Sequence, residues 1–133
     1  MSNGNIALAQ SLYAAFGRGD IAALVGAMAS NVTWEVVGRA KDYPLLGLRK
    51  GQDGVREFFR LIGELQEVVA FAPRDFHASG DMVFVIGSEG WKLRKTGKPV
   101  DTEWVHVFTI KGGKVTAFRE FTDTAQFAEA YRG

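Results

Sequence analysis

Three residues of this 133-residue chain carry proton chemistry where strands ordinarily hold aliphatics: Glu89 in "VFVIGSEGWKL", His106 in "EWVHVFTI" and Glu120 in "TAFREFTD". Glu89 alternates in phase with Val83, Val85 and Trp91, His106 with Trp104 and Phe108, and Glu120 with Phe118 and Thr122. A period of two puts each set on one face of a sheet. Carboxylates on apolar faces are rare unless they are paired or used, because leaving water penalises their charge. Two carboxyls and an imidazole are equipment for general acid/base catalysis, in which one group takes a proton and another returns one. Glu120 is the first candidate for the transfer and Glu89 for its partner or orienter. His106 is an alternative acid or base, or a hydrogen-bond donor to a substrate oxygen. A lone histidine on an apolar face is also commonly a satisfied core residue, so that reading stands beside the catalytic one.

The elements that must position these groups follow from periodicity. Ile6, Ala9, Leu12, Tyr13 and Phe16 recur at helical spacing, and "GRGD" supplies a glycine stop and Asp20 as cap of a second helix with Ile21, Leu24, Val25 and Met28. "NVTWEVVG" alternates as a half-buried strand, a proline-containing loop "RAKDYPLLGLRKG" follows, and Val55, Phe58, Phe59, Ile62 and Leu65 mark a third helix. Strands are expected near 68–79, 82–95, 100–110 and 114–122, the last two joined at Gly112-Gly113. Asp123, with Gln126 three residues on, starts a closing helix. Such segregation of helices and strands is an α+β pattern, here a curved antiparallel sheet forming a cone with helices on its concave face. Tyr13, Phe59 and Ile62 would close its interior. The strand holding Glu89 is apolar on both faces, so its convex side is expected to meet another subunit, giving a homodimer.

Composition narrows the classes further. The 47% hydrophobic content supports a core, and the length fits one domain over residues 1–133. Sixteen basic against 15 acidic residues give no electrostatic case for nucleic acid or an anionic membrane, which leaves a small, largely apolar ligand as the expected partner. Without cysteine there is no disulfide or thiolate site, and two histidines without ligand spacing make no metal motif, so neither metal nor cofactor is expected. "MSNGNIALAQ" has no signal-peptide pattern, and a cytoplasmic location is the default expectation. Gly17, Gly19 and Ala22 fit a loose dinucleotide pattern, but they follow a helix instead of a strand and read as a turn. The basic run Lys92, Arg94, Lys95 and Lys98 surrounds a hairpin tip and reads as a solvated turn.

"FGRGDIAAL", "GQDGVREFF" and "TGKPVDTEWVHVFTIKGGKVTAFREFTDT" together resemble the nuclear transport factor 2-like superfamily, which includes SnoaL-like polyketide cyclases, ketosteroid isomerases and limonene-epoxide hydrolases. The resemblance covers nearly the whole chain and implies a single SnoaL-like domain. Compared with the epoxide hydrolases, Glu89 and Glu120 fall on the two catalytic aspartates and Gly87 on the arginine between them, while Trp34 and Val36 fall on the tyrosine and asparagine that hold the water. Compared with ketosteroid isomerase, Val36 falls at the base, His106 at the protonated aspartate, and Leu12 at the tyrosine, with Tyr13 adjacent. The cyclases place an acid/base carboxylate near the end of the last strand, where Glu120 and Asp123 stand; Asp123 also has its reading as a helix cap. The pocket wall implied by the resemblance is Tyr13, Phe59, Ile62, Trp91, Trp104 and Phe118, with Trp34, Val36 and Asp123 at the ligand.

One conflict of phase accompanies this reading. A strict two-residue turn at Gly112-Gly113 pairs His106 with Arg119 and sends Glu120 to the opposite face. Both residues line one cavity only if a β-bulge shifts the phase, and the resemblance implies one. The function expected from these residues is acid/base isomerisation, cyclisation or hydration of a small apolar ligand. The alternative is a non-catalytic binding or dimerisation module of the same fold.

Overall fold

The computed structural model describes residues 2–133. Helix α1 (Ser2–Arg18) stops at Gly19, whose positive φ of 71° turns the chain sharply into α2 (Ile21–Gly26). Asp20 caps α2, its carboxylate accepting from the Ala23 amide at 3.1 Å. Strand β1 (Met28–Val36) follows, so Met28 opens a strand instead of ending the helix. The stretch expected to be loop contains a short strand, β2 (Gly47–Lys50), before α3 (Gly51–Leu65). Then come β3 (Gln66–Ser79), β4 (Met82–Leu93), β5 (Pro99–Lys111) and β6 (Lys114–Thr122), closed by α4 (Thr124–Arg132).

All six strands form one sheet in the order β2-β1-β6-β5-β4-β3. Four of its five pairings are antiparallel, but β1 runs parallel to β6, so the sheet is mixed and not purely antiparallel as expected. The parallel pairing follows from α3 and the four strands that separate β1 from β6 in sequence: no hairpin imposes the opposite direction. Edge strand β3 carries two bulges, at Val69 and Arg74, where its register against β4 slips by one residue. Each slip restores the inward phase, so Gln66, Val68, Phe71, Pro73, Phe76 and Ala78 oppose the inward residues of β4 one after another.

Rungs across the concave face can be read from these registers. One runs Trp34, Phe118, Phe108, Val83, Ala78; the next runs Val36, Glu120, His106, Val85, Phe76. Above them Thr122, Trp104, Gly87 and Pro73 make a third rung, and Thr102, Glu89 and Phe71 a fourth. In the third rung Gly87 leaves a gap that the Trp104 indole fills. A Cβ at Gly87 would collide with that ring and lie 2.6 Å from the Ala72 carbonyl oxygen. The convex face carries Phe84, Ile86, Val105, Val107 and Phe121, of which Ile86 and Phe121 are 37% and 39% exposed.

Gly87→Ala tests this packing. Because backbone as well as ring blocks the added methyl, neither neighbour can yield alone, and a loss of about 1–3 kcal/mol is expected. Urea unfolding should show a lower midpoint at unchanged slope; an unaltered midpoint would mean that Trp104 does not depend on the glycine.

Candidate acid/base site

Glu120 enters the concave face because of a bulge at Thr116. Next to the turn, Lys111 opposes Lys114 and Ile110 opposes Val115, but Thr109 opposes Ala117, one residue further on. From there His106 pairs with Glu120, and the phase conflict in the sequence is resolved. The His106 Nε2 lies 2.9 Å from Glu120 Oε1, and its Nδ1 lies 2.6 Å from the hydroxyl of Tyr13 on α1. The imidazole is 4% exposed and lies flat against Trp104, with ring centroids 3.8 Å apart. Stacking fixes the ring plane, and the two hydrogen bonds fix its rotation within that plane.

Glu89, 6% exposed, approaches from β4. Its Oε1 accepts from the Trp91 indole N–H at 2.7 Å, and its Oε2 lies 3.4 Å from Thr122 Oγ1. The Thr122 hydroxyl also lies 2.8 Å from the Glu103 carbonyl, so its one proton is divided between that oxygen and Glu89. Burial pushes the Glu89 carboxyl up to about 8, helped by the charge of Glu120 and opposed by the Trp91 and Thr122 hydrogen bonds. Burial pushes Glu120 up to about 7. It holds His106 well below its usual range, so the imidazole is neutral at neutral pH. Burial, and secondarily the charge of Glu120, raises the Tyr13 hydroxyl, which therefore stays protonated.

The neutral imidazole ties two protonation states together. When Glu120 is ionised, Nε2–H donates to it and Tyr13 O–H donates to Nδ1. When Glu120 is protonated, its O–H donates to Nε2, Nδ1–H donates to the Tyr13 oxygen, and the Tyr13 proton is freed toward the cavity. The charge on Glu120 is thereby expressed at Tyr13, on a different element.

These groups face an inner cavity of about 70 Å³ whose apolar wall includes Leu12, Phe59, Phe108, Phe118 and Phe127. It adjoins a wider mouth of about 440 Å³, and Tyr13, Phe16, Ile62, Gln66, Phe71 and Trp91 border both. No lysine or arginine lines the inner cavity. Among the described residues no group of three or more His, Cys, Asp or Glu is arranged to hold a metal ion, and no helix is long and apolar enough to cross a membrane.

Of the residues singled out in the sequence, Glu89, His106, Glu120, Tyr13, Trp34, Phe59, Ile62, Trp91 and Phe118 line this cavity, and three others do not. Val36 neighbours Glu120 on its rung but is packed into the core. Trp104 lies behind His106, drawn over the gap at Gly87. Asp123 is spent on α4, its two oxygens accepting from the Gln126 backbone and side-chain nitrogens at 3.3 and 3.1 Å. Sequence reasoning missed Gln66, Phe71 and Leu45. The first two sit on a strand whose two bulges hide its phase, and the third lies in a segment that reads as loop.

A family model, the SnoaL-like domain, matches residues 9–118. Among curated proteins nothing matches. Solved structures do: an NTF2-like protein from Burkholderia pseudomallei is 28% identical over 100% of both chains, with a TM-score of 0.90. Another from Burkholderia xenovorans is 28% identical over 98% of both, at 0.89. TerC, co-crystallized with polyporic acid, is 28% identical over 98% of this chain and 99% of its own, at 0.83.

The raised carboxyls make stability depend on pH. Between the unfolded value of roughly 4.4 and the folded values near 7 and 8, the folded chain holds protons that the unfolded chain has released. Their contribution is therefore fully present in acid and falls as pH rises through the folded pKa values. His106 works in the opposite sense: its contribution is complete above pH 6.5 and is lost as pH falls. From pH 7 to 8 only the carboxyls act, each with a limiting slope of about 1.4 kcal/mol per pH unit while protonated in the folded state alone. Urea unfolding should show stability falling over that range in the wild type and falling less in Glu89→Gln. Equal slopes in the two proteins would show that Glu89 ionises as it does in water.

Proposed function

We propose, since the chain belongs to the SnoaL-like domain family, that it is an enzyme that moves protons on a small, largely apolar molecule, in an isomerisation, cyclisation or hydration. The observation that carries this reading is the Tyr13–His106–Glu120 hydrogen-bonded chain beside Glu89 in one apolar cavity lined by no basic side chain. Glu120, the more acidic carboxyl, is the base, and Glu89, which keeps its proton to higher pH, is the acid. One proton leaves the substrate or a water for Glu120, another is delivered from Glu89, and passage of a proton between the carboxyls restores the starting state. Tyr13, freed as a donor when Glu120 is protonated, then holds a substrate oxygen. The co-crystal of TerC with polyporic acid supports a small organic ligand for this fold.

Glu120→Gln should lower turnover by about 10²–10⁴ while the variant still folds, and it should lower the pKa of Glu89 by removing a like charge. The wild-type rate should peak between about pH 7 and 8, where Glu120 is ionised and Glu89 is not. Carboxyl NMR titration discriminates the rival. Two glutamates ionising independently near roughly 4.3 would be groups with no acid/base function at neutral pH, and a binding module would then be the better account.

The same proposal includes a homodimer. The helices contribute to the concave cavity, and on the convex face Phe84, Val105 and Val107 stay half-buried while Ile86 and Phe121 stay exposed, Phe121 beneath the Arg119 guanidinium at 4.8 Å. A second copy presents the same apolar patch, rimmed by the same Arg119–Glu35 pair at 3.1 Å, and two-fold packing satisfies both at once. Light scattering should give a dimer at micromolar concentration. Ile86→Lys should shift it toward monomer with the pocket intact, because that side chain points away from Glu89; a wild-type monomer would remove the second copy.

A further inference from the structure

Gln66 is the polar residue of the cavity that the acid/base chemistry leaves unused. It opens β3, is 3% exposed, and stands where the inner cavity meets the mouth. The hydroxyl of Tyr43, itself fully buried, donates to its Oε1 at 2.7 Å. That bond orients the amide: turning it over would set NH₂ against the hydroxyl and leave the Tyr43 proton without an acceptor. The Nε2 then points away from Tyr43 with both hydrogens unspent, and it has no protein partner among the described residues. Unlike the indole nitrogens of Trp34 and Trp104, it is not among the sealed, unpartnered polar atoms, so a ligand can reach it. A second buried side chain thus holds the amide in this orientation, so the donor is aimed before any ligand arrives.

We infer that Gln66 is a specificity-determining residue that donates a hydrogen bond to a carbonyl oxygen of a neutral, largely apolar ligand. An amide NH₂ offers donors alone, so the ligand must bring an acceptor. The neutrality follows from the surroundings. The inner cavity holds two carboxyls and no basic side chain, which opposes a second negative charge. Arg94 at the mouth is engaged by the Gly63 carbonyl at 2.9 Å and by Glu67 at 3.5 Å. The substrate class is thus an apolar ketone or similar carbonyl compound, gripped at Gln66 by an oxygen and elsewhere by aromatic rings. This rests on the reading of the cavity as a small-molecule site and adds to it the chemistry of recognition.

Three shape-matched probes test the inference: 2-acetylnaphthalene, 2-isopropenylnaphthalene and 2-naphthoate, titrated into the full chain by calorimetry. The ketone should bind about three- to tenfold more tightly than the alkene, the worth of one net hydrogen bond, and more tightly than the carboxylate. The side-chain amide resonance of Gln66 should move with the ketone and not with the alkene, and the bound carbonyl stretch should fall in frequency. In Gln66→Leu, or Gln66→Met should that variant fold better, the preference and the frequency shift should vanish while alkene binding persists. Equal wild-type binding of ketone and alkene, or a preference that survives both variants, overturns the inference and leaves the acid/base reading standing. Tighter binding of naphthoate overturns the neutral-ligand assignment. Failure of all three probes to bind overturns this inference together with the small-molecule reading beneath it.

Discussion

Two carboxyl groups share an apolar cavity lined by no lysine or arginine, and much of the local structure follows from that constraint. A pair of charges there would repel each other at low dielectric while losing hydration, so the arrangement is tolerable only if the pair keeps a proton near neutral pH. Each neighbour fits that condition. The Trp91 indole and Thr122 hydroxyl hold Glu89 without adding charge, and His106 holds Glu120 while remaining neutral itself. The imidazole makes both its hydrogen bonds within the protein, which is what allows so polar a ring to lie between Trp104 and the cavity.

Geometry delivers these groups through irregularity in the sheet. A regular β5–β6 ladder would place Glu120 on the convex face, where it would ionise in water, and His106 would lose its acceptor. The single extra residue at Thr116 reverses that outcome for the rest of β6. On the far edge, the bulges at Val69 and Arg74 do the same for β3, keeping Gln66 and Phe71 turned inward along a strand whose alternation would otherwise fail twice. Bulges here are devices for aiming side chains, and the bends they add help the sheet to wrap around its helices.

The boundaries between legible and illegible features fall along the same lines. The three main amphipathic helices, the long strands, the Asp20 and Asp123 caps and the inward phase of Glu89 each depend on local spacing, and local spacing is visible in a sequence. The bulge at Thr116 was deducible only as the resolution of a contradiction. Those in β3 leave no such contradiction, since no pair of residues there demands a common face. The segment 39–46 reads as loop because it carries proline and three charges, yet Tyr43, Leu45 and Leu46 are buried in it. Their burial depends on long-range partners, the bond from Tyr43 to Gln66 and the aromatic contacts with Phe127 and Tyr131, which no local pattern encodes. The parallel pairing of β1 with β6 is non-local in the same sense.

Gly87 connects the sheet to the electrostatics. In the resemblance to limonene-epoxide hydrolases its position corresponds to an arginine lying between two carboxylates. Here there is no room for any side chain: a Cβ would strike the Trp104 ring and the Ala72 backbone. The volume that a side chain at position 87 would take is closed, and the ring that closes it is the one stacked on His106. Two ways of stabilising paired carboxyls are available in principle, a cation between them or a proton on one of them. The first would hold both ionised and suit a mechanism that begins from two carboxylates. The second yields one acid and one base at once. By giving position 87 to glycine and its space to Trp104, the fold excludes a local side-chain cation and leaves the proton as the means of relieving the charge.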